Sequence, residues 1–179
     1  VRDTPISEEV IVGLGVGAAM AGKRPIVEVM FMDFFGLCLD QIANQAAKTH
    51  YLYGGMYRMP LVVRTLVAAE MGIGPHHSQS LEAWVAHVPG LKVVMPSTPA
   101  DAKGLMKAAI RDDDPVVFVE HLALHRLKDE VADGDDALVP IGVAAVRRPG
   151  RDVTVVATGL MVGKALRAAE ALAADGIEV

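Results

Sequence analysis

Apolar positions fall into short runs separated by longer, alanine-rich segments, and this alternation continues from one end of the chain to the other. Short apolar runs bounded by turn residues read as buried strands, and the longer segments read as helices. The first helix is expected over residues 7–22, with the Ser7 hydroxyl capping a free backbone N–H and Glu8 and Glu9 at the positive end of the helix. A strand over 25–31 follows, then a helix over about 35–53 closed by Gly54 and Gly55. Strands at 61–64, 91–95 and 116–119 alternate with helices at 81–87 and 99–111. The pattern predicts an α/β fold, a parallel sheet with helices on both faces.

Two stretches depart from the alternation. Residues 65–80 lack clear periodicity and gather Gly72, Gly74, Pro75, His76 and His77, the composition of a working loop. Residues 127–151 are charged and irregular, and they read as a linker. Beyond it a buried strand is expected over 153–159 and a helix over 161–174, followed by Gly176 and the start of another strand. This divides the chain into a first domain (1–126), a linker (127–151) and the beginning of a second α/β domain (152–179). What remains of the second domain is too short to bury both faces of a sheet, so more chain or a partner is expected to cover it. The chain opens Val1-Arg2-Asp3-Thr4-Pro5 with no methionine, basic leader or apolar segment, as expected of a piece of a longer polypeptide without a targeting peptide.

Composition narrows the function classes. Hydrophobic residues make up 52% of the 179, enough for a substantial core, whereas only 4% are aromatic, leaving few rings to stack on bases. The formal charge of −5 also argues against a nucleic-acid partner. The single cysteine, Cys38, rules out an internal disulfide framework and points to a reducing compartment, cytoplasmic or mitochondrial matrix; within an apolar helix it reads as core. The longest uncharged apolar stretch, residues 10–22, falls short of the roughly 18 residues of a membrane span.

Few residues invite a chemical reading by themselves. Gly13, Gly15 and Gly17 look like a dinucleotide fingerprint, but they miss its spacing and lie inside a predicted helix, so they read as packing glycines. Glu8 has two readings: a first-turn acid favouring the helix dipole, or a carboxylate beside the rigid Pro5 corner, held near buried groups and able to exchange protons. His76 and His77 are either surface loop residues or proton-transfer groups. No H-E-x-x-H, C-x-x-C or calcium loop occurs, Asp112–Asp114 before Pro115 reads as a solvated turn, and no G-x-S-x-G elbow surrounds Ser78.

Taken together, ordered blocks carry more than any single motif. They are Asp3-Thr4-Pro5-Ile6-Ser7-Glu8, Gly17-Ala18-Ala19-Met20-Ala21-Gly22 with Arg24-Pro25, Asp33-Phe34, and Asp40-Gln41-Ile42 through Ala46-Ala47-Lys48. His77-Ser78-Gln79-Ser80, Pro89-Gly90-Leu91-Lys92-Val93-Val94, Pro96 with Asp101-Ala102-Lys103-Gly104-Leu105, and Ala109-Ile110-Arg111-Asp112 with Pro115-Val116 continue them in order. With these blocks the chain resembles the β subunit of thiamine-diphosphate-dependent 2-oxoacid dehydrogenases, the E1 component of pyruvate, branched-chain and acetoin dehydrogenase complexes. The resemblance implies a transketolase-like pyrimidine-binding domain followed by the start of the C-terminal domain. It also implies oxidative decarboxylation of a 2-oxoacid with acyl transfer to lipoamide.

By the same resemblance, Glu8 contacts N1′ of the aminopyrimidine and promotes loss of the thiazolium proton. Phe34 lies against the aminopyrimidine ring, and His77 transfers protons or assists acyl transfer. The family's Gly-Asp-Gly motif with its downstream Asn, which holds the diphosphate through Mg2+, is missing from the sequence. An α subunit is therefore expected to hold it, in an α2β2 heterotetramer with a second β subunit that serves the lipoyl domain of an E2 acyltransferase. A family potassium site maps to Leu61, Ala109, Ile110, Asp112 and Asp114. Departures from the family are the missing opening strand and helix, most of the last domain, and a loop at 66–71 that is poorer in glycine and carries Glu70. The alternatives are the pyrimidine domain of a transketolase or deoxyxylulose-phosphate synthase-like enzyme, and a noncatalytic scaffold subunit of the same fold.

Overall fold

A computed structural model describes residues 1–134 and 137–179. Four parallel strands, β1 (Ile26–Phe31), β2 (Val62–Val67), β3 (Lys92–Val94) and β4 (Val116–His121), form one sheet in the order β1-β2-β4-β3. The helices are α1 (Glu8–Met20), α2 (Ala47–Leu52), α3 (Glu82–Ala86), α4 (Pro99–Arg111) and α5 (Leu160–Ala173). Strand residues alternate between two faces. Val29, Val63, Val67, Val117 and Val119 pack with Val12 and Val16 of α1 and Val85 of α3. On the other face Val62, Val116 and Phe118 pack with Leu105, Met106 and Ala109 of α4. The expected α/β fold, with helices on both faces of a parallel sheet, is what the chain adopts.

Local chemistry explains the start of α4 fully and that of α1 in part. At α4, Thr98 accepts from the Asp101 backbone N–H at 3.1 Å and Pro99 occupies the first turn, where its missing N–H costs nothing. At α1, Ser7 is the N-cap in extended backbone, but its hydroxyl caps nothing, contrary to expectation. Its carbonyl accepts from Ile11 at 2.9 Å, and Glu8 and Glu9 supply the negative charge the first turn favours. Gly15 lets α1 lie close on the sheet, since a Cβ there would stand 2.7 Å from Val27 Cγ1 and 3.0 Å from Leu61 Cδ1. This supports the packing reading of that glycine.

Three further expectations change. The helix placed at 35–53 begins later than expected, because residues 35–37 belong to a 3-10 turn, Met32–Leu37, capped by Cys38. Its helical remainder holds a π-helical turn, Gln41–Ala46, before α2. Strands β2 and β4 run farther than expected, to Val67 and His121, because their residues pair in register as far as Val67 with His121. The expected buried strand at 153–159 is not one: the segment has no strand structure, and Val153, Val155 and Val156 are exposed. A strand needs a partner edge for its backbone groups. Here, among the described residues, only the N–H groups of 151–153 find an acceptor, the one Glu178 carbonyl.

Described residues of the irregular 127–151 stretch lie along α4. Lys103 Nζ donates to the Ala132 carbonyl at 2.7 Å, Ile141 joins the α4-side core, and Arg147 bonds both Asp101 carboxylate oxygens at 2.7 and 2.8 Å. Burial pushes the Asp101 carboxyl up, yet hydrogen bonds from Ser97 and Thr98 and the Arg147 guanidinium hold it below its ordinary value.

Candidate active site

Parallel α/β sheets present their loops at the carboxyl ends of the strands, where ligands commonly bind. The Met32–Leu37 turn follows β1 directly, and the loop that ends in a second 3-10 turn, Pro75–His77, follows β2. Both turns meet at that end of the sheet. The His77 ring stands edge-on to Phe31, with centroids 4.9 Å apart, and edge-on to Phe34 at 5.6 Å, the geometry aromatic quadrupoles favour. Phe34 and His77 are each half-buried, while His76 is exposed. A second tie fixes the same two turns: the Gln79 backbone N–H and Nε2 donate to Asp33 Oδ1 at 3.1 and 3.0 Å.

Polar capacity remains open beside these ties. Asp33 Oδ2 and Ser78 Oγ are buried without a hydrogen-bond partner. Leaving a buried acceptor unmade is costly, and such atoms commonly mark where a ligand or another chain completes the structure. Asp33, Ser78 and Gln79 had no assigned role in the sequence, although each adjoins or lies within two residues of Phe34 or His77. That adjacency was the available signal.

Glu8 enters from the first turn of α1, which packs against the Met32–Leu37 turn. It is half-buried, and its charge reaches the Cys38 thiol at the end of that turn. Burial first, and the Glu8 carboxylate second, push the thiol up to about 12, so Cys38 stays protonated and is a core residue. The fold thus brings Phe34 and His77 into direct ring contact, with Glu8 in the first turn of the helix that packs against the same 3-10 turn. It does so without enclosing them. Two open grooves, of about 320 and 280 Å3, lie elsewhere, one beside Arg24 and Tyr57 and the other beside Ser97 and His121.

The five residues expected around potassium lie near the C-terminal end of α4 and the start of β2. The carbonyl oxygens of Ile110 and Asp112 converge on one nitrogen, Arg24 Nη1, at 3.2 and 2.8 Å. The Asp112 carboxylate takes Lys92 Nζ at 2.8 Å on each oxygen, and Asp114 takes it at 3.0 Å. The Leu61 carbonyl accepts from Val116 in the sheet and the Ala109 carbonyl from Asp112. The set is rich in oxygen and sits at the negative end of the α4 dipole, which favours cations. Two of its oxygens already serve a guanidinium.

Comparison with known proteins places this geometry. Residues 1–126 match the model of the transketolase pyrimidine-binding domain, and residues 142–179 match that of the transketolase C-terminal domain. The chain is 53% identical over 176 residues to the β subunit of acetoin:2,6-dichlorophenolindophenol oxidoreductase of Cupriavidus necator, covering 98% of this chain and 52% of that protein. It is 50% identical over 179 residues to the pyruvate dehydrogenase E1 component β subunit of Rhizobium meliloti, covering 100% of this chain and 39% of that protein. A solved structure described as a split gene transketolase, inactive β4 tetramer, superposes with a TM-score of 0.77 at 26% identity, covering 97% of this chain and 52% of that one. The chain therefore spans about half or less of the length of the proteins it matches. A parallel sheet and a model match across residues 1–126 converge on one conclusion: the chain belongs to the transketolase pyrimidine-binding domain family.

Proposed function

We propose that this chain is the β-type half of a thiamine-diphosphate-dependent 2-oxoacid dehydrogenase E1, contributing the wall of the site that receives the aminopyrimidine. The observation that carries the reading is the Phe34–His77 contact, held by the Asp33–Gln79 tie beside the first turn of α1 that bears Glu8. The relatives at about 50% identity named for acetoin and pyruvate chemistry support it. The donor set suits the cofactor's ring. Phe34 offers an apolar face, Glu8 a carboxylate to share a proton with N1′, and Asp33 Oδ2 and Ser78 Oγ unused polar capacity nearby.

Thiamine diphosphate, when bound, supplies an electron sink for decarboxylation next to the carbonyl. Glu8 holds and returns a proton at N1′, and Phe34 supports the ring without competing for its hydrogen bonds. His77, braced by two aromatic rings, moves a proton at the substrate carbonyl oxygen and assists acyl transfer to a lipoyl group. The diphosphate and its Mg2+ belong to an α subunit in an α2β2 assembly, and an E2 lipoyl domain takes the acyl group. The oxygens at the end of α4 are the proposed ligands of a K+ ion; here Arg24 and Lys92 supply the positive charge that they face. Such a complex resides in the bacterial cytoplasm or the mitochondrial matrix. None of the helices among the described residues is long and apolar enough to cross a membrane.

The test is a titration of thiamine diphosphate with Mg2+ against the complete β-type chain, its α partner and their mixture. Tight binding by the mixture alone, with 2-oxoacid-dependent acylation of a lipoyl domain, is the expected result. Tight binding by the β-type chain alone, or turnover of ketose phosphates in place of 2-oxoacids, overturns the assignment.

A further inference from the structure

The loop between β2 and the Pro75–His77 turn holds a residue for which the proposed site has no use. Glu70 is the one non-glycine among the described residues with a left-handed backbone, at φ 68°. A Cβ is strained in that region where glycine is not, and such strain persists only when surrounding contacts over-determine it. Two sets of contacts do so here. From α5, Lys164 Nζ donates to both Glu70 carboxylate oxygens at 2.5 Å, across 94 residues of sequence. From β4, the buried His121 pairs in register with Val67, its ring bonds the Ala69 backbone, and its Nδ1 accepts from Ala123 at 3.2 Å. Burial pushes the His121 imidazole below its ordinary value, with the Glu70 charge opposing. The backbone at 69–70 is therefore held from the sheet on one side and from α5 on the other.

Exposed ion pairs of this kind add little stability, and both partners here are about half exposed. The effect of the pair is therefore geometric. We propose that Glu70 is a positioning residue whose bond to Lys164 ties the His77 loop to α5, so that the segment matched by the C-terminal family model sets where His77 stands against Phe34. The inference rests on the reading of His77 given above.

The experiment uses the full-length chain assembled with its α partner, in Glu70→Gly, Lys164→Met and the exchange Glu70→Lys with Lys164→Glu. His77→Ala runs alongside. Glu70→Gly keeps or raises the thermal midpoint, because glycine accepts the backbone angle, and leaves thiamine diphosphate affinity unchanged. Acyl transfer nevertheless falls about tenfold. Lys164→Met lowers transfer equally and speeds hydrogen exchange across 71–80, although the substitution lies in α5. The exchanged pair recovers most of the rate. Wild-type transfer and exchange in both single variants, alongside a crippled His77→Ala, overturns the inference and leaves the site reading standing. Full transfer by His77→Ala overturns both.

Discussion

Glu8 shows how little a residue's identity says until its neighbours are known. As the first residue of α1 it is a helix-favouring acid; on the helix packed against the Met32–Leu37 turn, with its field reaching a buried thiol, it becomes the proposed proton-exchanging group. Its assigned work is proton exchange, a contribution of about 100- to 10,000-fold in rate. Glu8→Gln in the assembled enzyme is therefore expected to lower decarboxylation by at least about 100-fold, with sedimentation of the complex unchanged. Near-normal turnover removes Glu8 from the chemistry. His77 stands edge-on to two rings, beside the Asp33–Gln79 bonds that join its loop to the turn after β1.

At the scale of elements, the 3-10 turn after β1 and the π-helical turn before α2 matter most. An uninterrupted α-helix from the end of β1 would carry Asp33 and Phe34 into one cylinder; the tighter turn keeps both at the sheet edge, in contact with the loop after β2. The helix beyond is pinned by the turn that leads into β3. Gly90 there has φ 97°, and a Cβ would stand 2.2 Å from the Ala47 carbonyl oxygen. Gly90→Ala combines backbone strain with a clash against main chain that has no rotamer to yield, and should cost about 2–4 kcal/mol. Urea unfolding followed by circular dichroism measures it, and a change under about 0.5 kcal/mol contradicts the packing described.

The whole molecule presents an unfinished surface. Helix α1 is apolar on nearly every side, yet Val10 and Leu14 remain exposed, whereas a helix that is apolar all round is ordinarily buried. Covering by a subunit of the proposed assembly would account for this. Leu14→Glu is expected to leave the chain folded while preventing assembly with its partners, read by analytical ultracentrifugation; normal assembly shows that α1 faces solvent. Global stability should also depend on pH through His121. Its folded-state value lies below the ordinary 6.5, so below that pH the unfolded chain binds a proton that the folded chain resists. Stability is full above about pH 6.5 and declines as pH falls, levelling off once the folded imidazole also protonates. His121→Gln should flatten this limb in thermal melts between pH 7 and 5; an unchanged slope assigns it to other groups.

Much of this was legible in the chain itself. The alternation of elements determined the parallel α/β class, and α4 begins and ends where Thr98, Pro99 and Asp112 place it, because caps and turn residues act over a few bonds. The ordered blocks marked Glu8, Phe34 and His77 as a set; residue types and spacing by themselves left Glu8 between a first-turn acid and a proton-exchanging carboxylate, and His77 between a loop residue and a proton-transfer group. Folding alone decided the strand order and hence who meets whom. Gln79 and Asp33, 46 residues apart, Arg24 and Asp112, 88 apart, and Lys164 and Glu70, 94 apart, are joined by the packing of whole elements. No local pattern encodes such a meeting. The valine-rich run at 153–159 shows the same limit from the other side, since its hydrophobicity promises a strand, but a strand exists only where a neighbouring edge takes its hydrogen bonds.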